Sequence, residues 1–431
     1  MSADVRRIVD AVWRMESAKL IAALARVTGD VGLAEELAQD ALVAALERWP
    51  ESGVPDKPGA WLMATAKHRA IDTFRRAQRL ERKTAELGRE LQDAEATEPD
   101  WAAALDQVVE DDLLRLVFIS CHPVLSREAR VALTLRLIGG LATDEIARAF
   151  LVAESTVAQR IVRAKRTLTA ARVPFEVPAG PEFTARLSSV LEVIYLVFNE
   201  GYSATAGQDW TRPALCREAL RMGRILAELT PGESEVHGLV ALMEIQASRL
   251  PARVSPSGAP VLLSDQDRGR WDRVLIGRGL AALERAESTG GVLGPYALQA
   301  AIAACHARAG SVEDTDWRLI AALYEALAEL TPSPVVELNR AVAVSRAYGP
   351  AAGLELVDAL TEVPALRRSH LLPSVRGDLL VQLGRPSEAR IEFEQAASLT
   401  RNERERALLL ERAVACSPSG EIRISPAGRS R

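Results

Sequence analysis

The sequence predicts an all-α protein. Alanine, leucine and arginine, all strong helix formers, dominate its 431 residues. Apolar side chains recur at spacings of three and four along segment after segment, and no run of alternating β-branched residues interrupts them. Apolar residues make up 48% of the chain but aromatics only 4%, so its cores are aliphatic. The length suits two or three domains, each large enough for its own core.

Taken in chain order, residues 10–80 read as three or four helices. Ala34 to Trp49 is strongly amphipathic, with Glu35, Glu36, Gln39, Asp40 and Glu47 among its polar positions, and Pro50 is expected to stop it. Ser52 to Pro58 is a loop rich in Pro and Gly. A second long helix runs from Ala60 to Arg76, with a basic end made by Lys67, Arg69, Arg75, Arg76 and Arg79. Cations beside Trp61 and Phe74 suit a surface for single-stranded nucleic acid. For Trp61 by itself a core position is the plainer reading. Residues 81–112 form an acidic connector that reads as a solvated linker.

Gly140 to Leu168 predicts two short helices joined by a tight turn. Thr143 is a candidate N-cap, with Asp144 and Glu145 at the positive end of the helix dipole. Ile146, Ala147 and Phe150 make that helix's apolar face, and Leu151 to Glu154 make the turn. Ser155 is the second candidate N-cap. Val157, Ile161, Ala164 and Leu168 then follow at spacings of four, three and four, one buried stripe. Thr156, Gln159, Arg160 and Arg163 share the opposite face. Gln and Arg can contact adenine and guanine edges in the major groove, while Lys165 and Arg166 suit phosphates. This is the construction of a helix-turn-helix.

The acidic helix ending at Trp49, the loop and the basic helix after it resemble region 2 of bacterial sigma factors of the extracytoplasmic-function (ECF) group. Gly140 to Leu168 resembles region 4 of the same group, in the right order. The resemblance implies RNA polymerase core as partner, through its clamp and flap, and promoter DNA. By position it assigns core binding to Glu36, Leu37, Gln39, Asp40, Leu46 and Trp49. It assigns -10 contacts to Trp61, Lys67, His68, Arg69, Asp72, Arg75 and Arg76. His68 stands where the family often has asparagine. The -35 contacts fall to Ser155, Thr156, Gln159, Arg160, Arg163, Lys165 and Arg166. The implied division is region 2 at 1–80, linker at 81–112, region 4 at 113–173, a second linker at 174–181 and an extension at 182–431. The competing reading is a stand-alone helix-turn-helix regulator with a repeat domain, which has no use for region 2.

Three prolines and a glycine between Val173 and Pro181 close the sigma-like half. The remainder resembles the extension of one ECF subgroup. The resemblance rests on Asn199, Glu200 and Tyr202, on Arg253, and on Asp265, Asp267, Arg268, Trp271 and Asp272. Its later part is expected to be tetratricopeptide-like. Gly310, Gly349 and Gly384 each end a helix, near the 34-residue period of such repeats. Ala351, Ala352, Ala389, Ala396 and Ala397 are expected where helices approach, and Thr331 to Pro334 marks a repeat boundary. Such an array presents a concave surface to a protein or peptide partner. Asp265, Asp267, Arg268 and Asp272 read as a buried ion network or partner surface rather than an active site.

The net charge of −5 confines nucleic-acid binding to local basic patches. The four cysteines are widely separated. With no Cys-x-x-Cys, neither a zinc ribbon nor a redox pair is expected, and the pairs Cys121–His122 and Cys305–His306 need no function. No phosphate loop, dinucleotide fingerprint or zinc-protease motif occurs, so no cofactor, metal or enzymatic activity is expected. No membrane span or signal peptide is apparent, and the chain is expected in a reducing cytoplasm.

Overall fold

The computed structural model describes residues 3–86, 112–367 and 369–417. They form eighteen α-helices and one pair of two-residue strands. The expected acidic linker lies outside the described residues, except that helix α3 continues to Glu86 and the next helix begins at Asp112. The chain divides into two compact units, Met1–Val197 and Phe198–Arg431.

The first unit opens with α1 (Ala3–Thr28), α2 (Val31–Ser52) and α3 (Pro58–Glu86), packed on one another. Asp30 caps α2, its side chain accepting from the Leu33 amide. Pro50 does not stop α2. It sits in the last turn, and the helix ends at Gly53, whose φ of 82° suits glycine and whose amide bonds the Trp49 carbonyl. Then follow α4 (Asp112–Ser120), α5 (Arg127–Leu137), α6 (Thr143–Phe150) and α7 (Glu154–Ala170). Helix α4 packs on α1, and Arg26 reaches Asp112 at 2.8 Å. The caps of α6 and α7 lie one and two residues before the expected ones, at Ala142 and Ala153, with no side-chain cap bond. Glu145 explains the first shift: its carboxylate reaches back to the Ala142 amide at 2.8 Å.

Helix α8 (Pro181–Tyr202) contains the division between the units. Its residues 181–197 belong to the first unit. There the buried Arg186 donates to the Phe118 carbonyl at 3.0 Å, Ser189 donates to the Cys121 carbonyl at 2.8 Å, and Arg130 donates to Ser189.

The second unit contains α9 (Pro213–Leu229), α10 (Ser234–Ala247), α11 (Arg273–Ser288), α12 (Pro295–Arg308), α13 (Trp317–Leu330), α14 (Pro334–Tyr348), α15 (Pro350–Ala359), α16 (Leu371–Gln382), α17 (Pro386–Leu399) and α18 (Glu403–Ala415). From α12 onward each helix packs on its sequence neighbour, as an array of hairpins. Gly349 and Gly384 follow α14 and α16 with φ of 104° and 71°, and Gly310 follows α12. Ala389, Ala396 and Ala397 are buried as expected, but Ala351 is exposed and Ala352 only half-buried. The close approach there is made by Gly353, where a Cβ would stand 2.4 Å from that of Ser345.

An open array leaves its two ends apart, and this one joins them. Strand β1 (Ala206–Gly207) pairs in parallel with β2 (Arg401–Asn402). The buried Asn402 side-chain amide donates to the carbonyls of Ala204 at 3.0 Å and Asp209 at 2.9 Å, closing a loop of nearly two hundred residues. Between α10 and α11 runs a strap, residues 248–272, with three short 3-10 turns.

Candidate nucleic-acid and polymerase interface

Helix α7 separates its faces as expected. Val157, Ile161, Ala164 and Leu168 are buried, while Ser155, Gln159, Arg163 and Arg166 are exposed and Thr156 and Arg160 are half-buried. The turn before α7 places Leu151 in the left-handed region, φ 51°. The apolar stripe fixes the helix on α5 and α6, which leaves the Gln and Arg face toward solvent.

Lys165 is different. Its ammonium pairs with Glu35 of α2, whose other oxygen accepts from Arg136 Nε of α5 at 2.6 Å and from Gln39. The Glu35 side chain is only 3% exposed and that of Lys165 20%. Burial pushes the Glu35 carboxyl up, but the charges of Lys165 and Arg136 overcome this and hold it below the usual carboxylate range. Thr169 donates to Asp30 at 3.1 Å, and Arg14 meets Glu145 at 2.6 Å. The expected phosphate contact Lys165 is therefore engaged within the unit.

On α2 the expected core-binding residues split. Glu36 and Asp40 are exposed, and Gln39 and Leu46 are half-buried. Leu37 and Trp49 are buried inside the unit, so they support that surface from beneath and cannot form it. The reason is periodic: Ala34, Leu37, Ala38, Ala41, Ala45 and Trp49 share the inner stripe. Trp61 packs edge-on against Trp49, centroids 5.4 Å apart, and is half-buried. On α3, His68, Asp72 and Arg75 fall on one exposed face at spacings of four and three. Lys67 is half-buried, Arg69 pairs with Asp40 at 3.2 Å, and the side chain of Arg76 lies outside the described residues.

The extension's motif residues build scaffold. Asp272 caps α11, accepting from the amides of Val274 and Leu275, and Asp267 accepts from the Gly269 amide. The buried Arg268 donates to the carbonyls of His306 and Ala309, each at 2.8 Å, and to the Thr315 hydroxyl at 3.0 Å. Trp271 is buried between Arg268 and Arg249, whose guanidinium carbons lie 5.1 and 5.0 Å from its ring centroid. Arg253 stands 3.7 Å over the Tyr202 ring and donates to that residue's carbonyl. Glu200 pairs with Arg212, and Asn199 is half-buried. The expected ion network is thus a set of caps and carbonyl clamps; Asp265, exposed like Asp267 and Asp272, lines a cavity. The four cysteines are free and buried, and burial pushes the Cys121 thiol up to about 11.

Glu35, Arg136 and Arg186 were not among the expected site residues. The signal for Glu35 was present: a carboxylate beside Ala34 and Ala38 on an apolar stripe needs a partner. The partner itself, about a hundred positions away, left no local trace.

Helices α2, α3 and α7 each present an exposed polar face. Comparison with known proteins places these helices in two matched domains. Sigma-70 region 2 matches residues 13–80, sigma-70 region 4 matches residues 115–168, and a family of unknown function, DUF6596, matches residues 186–287. A Rhizobium meliloti protein, "Uncharacterized protein R00370", is 46% identical over 389 residues, 90% of each chain. A "Probable ECF RNA polymerase sigma factor SigI" of Mycobacterium tuberculosis is 31% identical over 166 residues, covering 38% of this chain and 56% of its own length. Among solved structures, yeast Tom70 aligns with 96% of this chain and 85% of its own at a TM-score of 0.31 and 12% identity, too loose to bear on the fold. The chain belongs to the family of the Rhizobium protein, and it carries sigma-70 region 2 and region 4 domains, similar to those of an ECF sigma factor, followed by a large helical extension. Among the described residues no helix is long and apolar enough to cross a membrane.

Proposed function

We propose that this chain joins RNA polymerase core in the cytoplasm and directs initiation at its promoters as a specificity subunit, not as an enzyme. The clamp would meet Glu36, Gln39, Asp40 and Leu46 on α2. The loop after α2 and the His68, Asp72 and Arg75 face of α3 would capture a flipped base of the -10 element, with Arg76 placed by sequence beside them. Unpairing costs a few kcal/mol per flipped base, which stacking and pocket contacts offset. Thr156, Gln159, Arg160 and Arg163 would read the -35 element while region 4 rests on the flap. One observation carries this reading: both modules occur in order on one chain, each with a polar face opposite a buried stripe.

The Glu35 cluster adds a resting form. Lys165 must leave Glu35 before it can neutralise a phosphate, so the pairing of α2 with α7 restrains full promoter contact. The extension regulates the sigma half in cis, and helix α8, shared by both units, is the element suited to carry that influence.

In vitro transcription with bacterial core polymerase tests the proposal, with the full chain and residues 1–197 in parallel on a genomic promoter library. Ending at 197 keeps Arg186 and Ser189 in place. Initiation by either protein at one shared -35/-10 pair supports the sigma role. Failure of both to bind core rejects it. Equal activity and equal signal response from both rejects regulation in cis.

A further inference from the structure

The second unit holds a half-open cavity of about 630 Å³, within the range of small-molecule sites. It is no crevice between two adjacent helices. Its walls come from the strap at Leu262 to Asp265, from His306, from Trp317 on α13, and from α14, α16 and α18. Only the closed array brings these elements together.

Apolar side chains dominate the walls, among them Leu263, Val342, Val375 and Leu379. The charged lining is Arg268, Arg346 and Arg412 against Asp265 and Asp378, an excess of one positive charge. Two of the cations are committed: Arg412 to Asp378, and Arg268 to the carbonyls and hydroxyl already described. Among the described residues Arg346 has no carboxylate partner, and its guanidinium lies 5.8 Å from the Trp317 ring centroid. Two buried polar atoms in the lining also lack a hydrogen-bond partner, His306 Nδ1 and Arg268 Nε, in residues 7% and 8% exposed. Such atoms are rare and call for an explanation.

We propose that this cavity binds a small amphipathic carboxylate, its anionic head on Arg346 and its apolar body against Trp317 and the aliphatic wall. A guanidinium fork matches a carboxylate in shape and charge. A phosphate, with nearly twice the charge, would face repulsion from Asp265 and Asp378 with one free cation to offset it. An amine would meet the excess positive charge. Burial and then the charges of Arg249 and Arg268 push the His306 pKa down to about 3, so the wall there is a neutral imidazole. The same chemistry has two sources, a free organic acid or the C-terminal carboxylate of a short peptide. The site rests on the geometry of the second unit alone, so its failure would leave the sigma reading untouched, and the reverse.

Calorimetry on the full chain tests it, with phenylacetate, hexanoate and N-acetyl-leucyl-phenylalanine as probes and their primary amides as controls. At least one acid is expected to bind about tenfold more tightly than its amide. Preference for the free acids assigns the site to metabolite-sized ligands, and preference for the dipeptide assigns it to a peptide end. Arg346→Gln, at an exposed position of α14, is expected to weaken that acid about tenfold while the thermal midpoint moves by no more than about 2 °C. The proposal is overturned if no acid binds at millimolar concentration, if amides bind equally, or if Arg346→Gln leaves acid binding unchanged.

Discussion

Helix α7 and the strap at 248–272 are both rich in arginine, yet they use it in opposite ways. On α7 an unbroken apolar stripe holds the helix down, so Arg163 and Arg166 point to solvent and remain available to a partner. The strap has no such stripe. Its anchor is polar: Arg268 is buried on two carbonyls and a hydroxyl, Trp271 stacks beneath it, and two aspartates close turns. Arginine opposite a buried apolar face is a recognition residue, whereas arginine in an irregular segment substitutes for the missing core. A polar motif without regular structure therefore reads first as scaffold.

Removing Arg268 breaks this comparison most forcefully. Arg268→Ala leaves two carbonyls and a hydroxyl without their donor and uncovers Trp271. The full chain should lose about 3–5 kcal/mol, a fall of roughly 10 °C in the melting of the second unit. A loss under about 1 kcal/mol would show the strap to be surface rather than scaffold. Arg163→Ala should do the reverse, leaving stability within about 0.5 kcal/mol and weakening -35 DNA binding by about 1–3 kcal/mol. Equal stability loss in both variants would erase the distinction.

Glu35→Gln sharpens the comparison inside the sigma half, because Lys165 is the one -35 candidate held as Arg268 is. Loss of the charge should free Lys165 for amine acylation and raise transcription from the full chain about tenfold, an effect of about 1.4 kcal/mol. Unchanged acylation would mean the pair does not restrain the helix. The pH dependence has a definite sign. The carboxyl is depressed in the folded state, so its contribution is complete above the ordinary carboxylate value and fades as pH falls through the lower folded value. Acid should therefore loosen the wild-type pairing, and Glu35→Gln should lack that part of the acid dependence of stability, read by denaturant unfolding across the acid range.

The smallest effect belongs to the caps. Asp272→Ala should cost about 1 kcal/mol through the lost bonds to Val274 and Leu275, with no change in DNA binding. A measurable binding change would place Asp272 in a partner surface.

The recognition helix was legible because its signal is local: Val157, Ile161, Ala164 and Leu168 mark its buried side within four turns. Core-binding residues were half legible. Glu36 and Asp40 follow from the polar pattern of α2, but assigning Leu37 and Trp49 by position overlooked their place on the inner stripe. Pro50 misled because so near the helix end its missing donor removes a single backbone bond without stopping the helix, and Gly53 sets the true end.

By itself the sequence determined the helices, the order of the two modules and which face of each helix is polar, since these depend on residues three to eight positions apart. Tertiary structure decided which charges are free. Glu35 and Arg136 meet across 101 positions, and Asn402 finds the Ala204 carbonyl across 198. Burial makes such partners compulsory, because an unpaired charge or amide inside a protein costs several kcal/mol. No periodicity records which distant group will satisfy it. The same holds for the cavity around Arg346 and Trp317, whose walls exist only once the array has closed on itself.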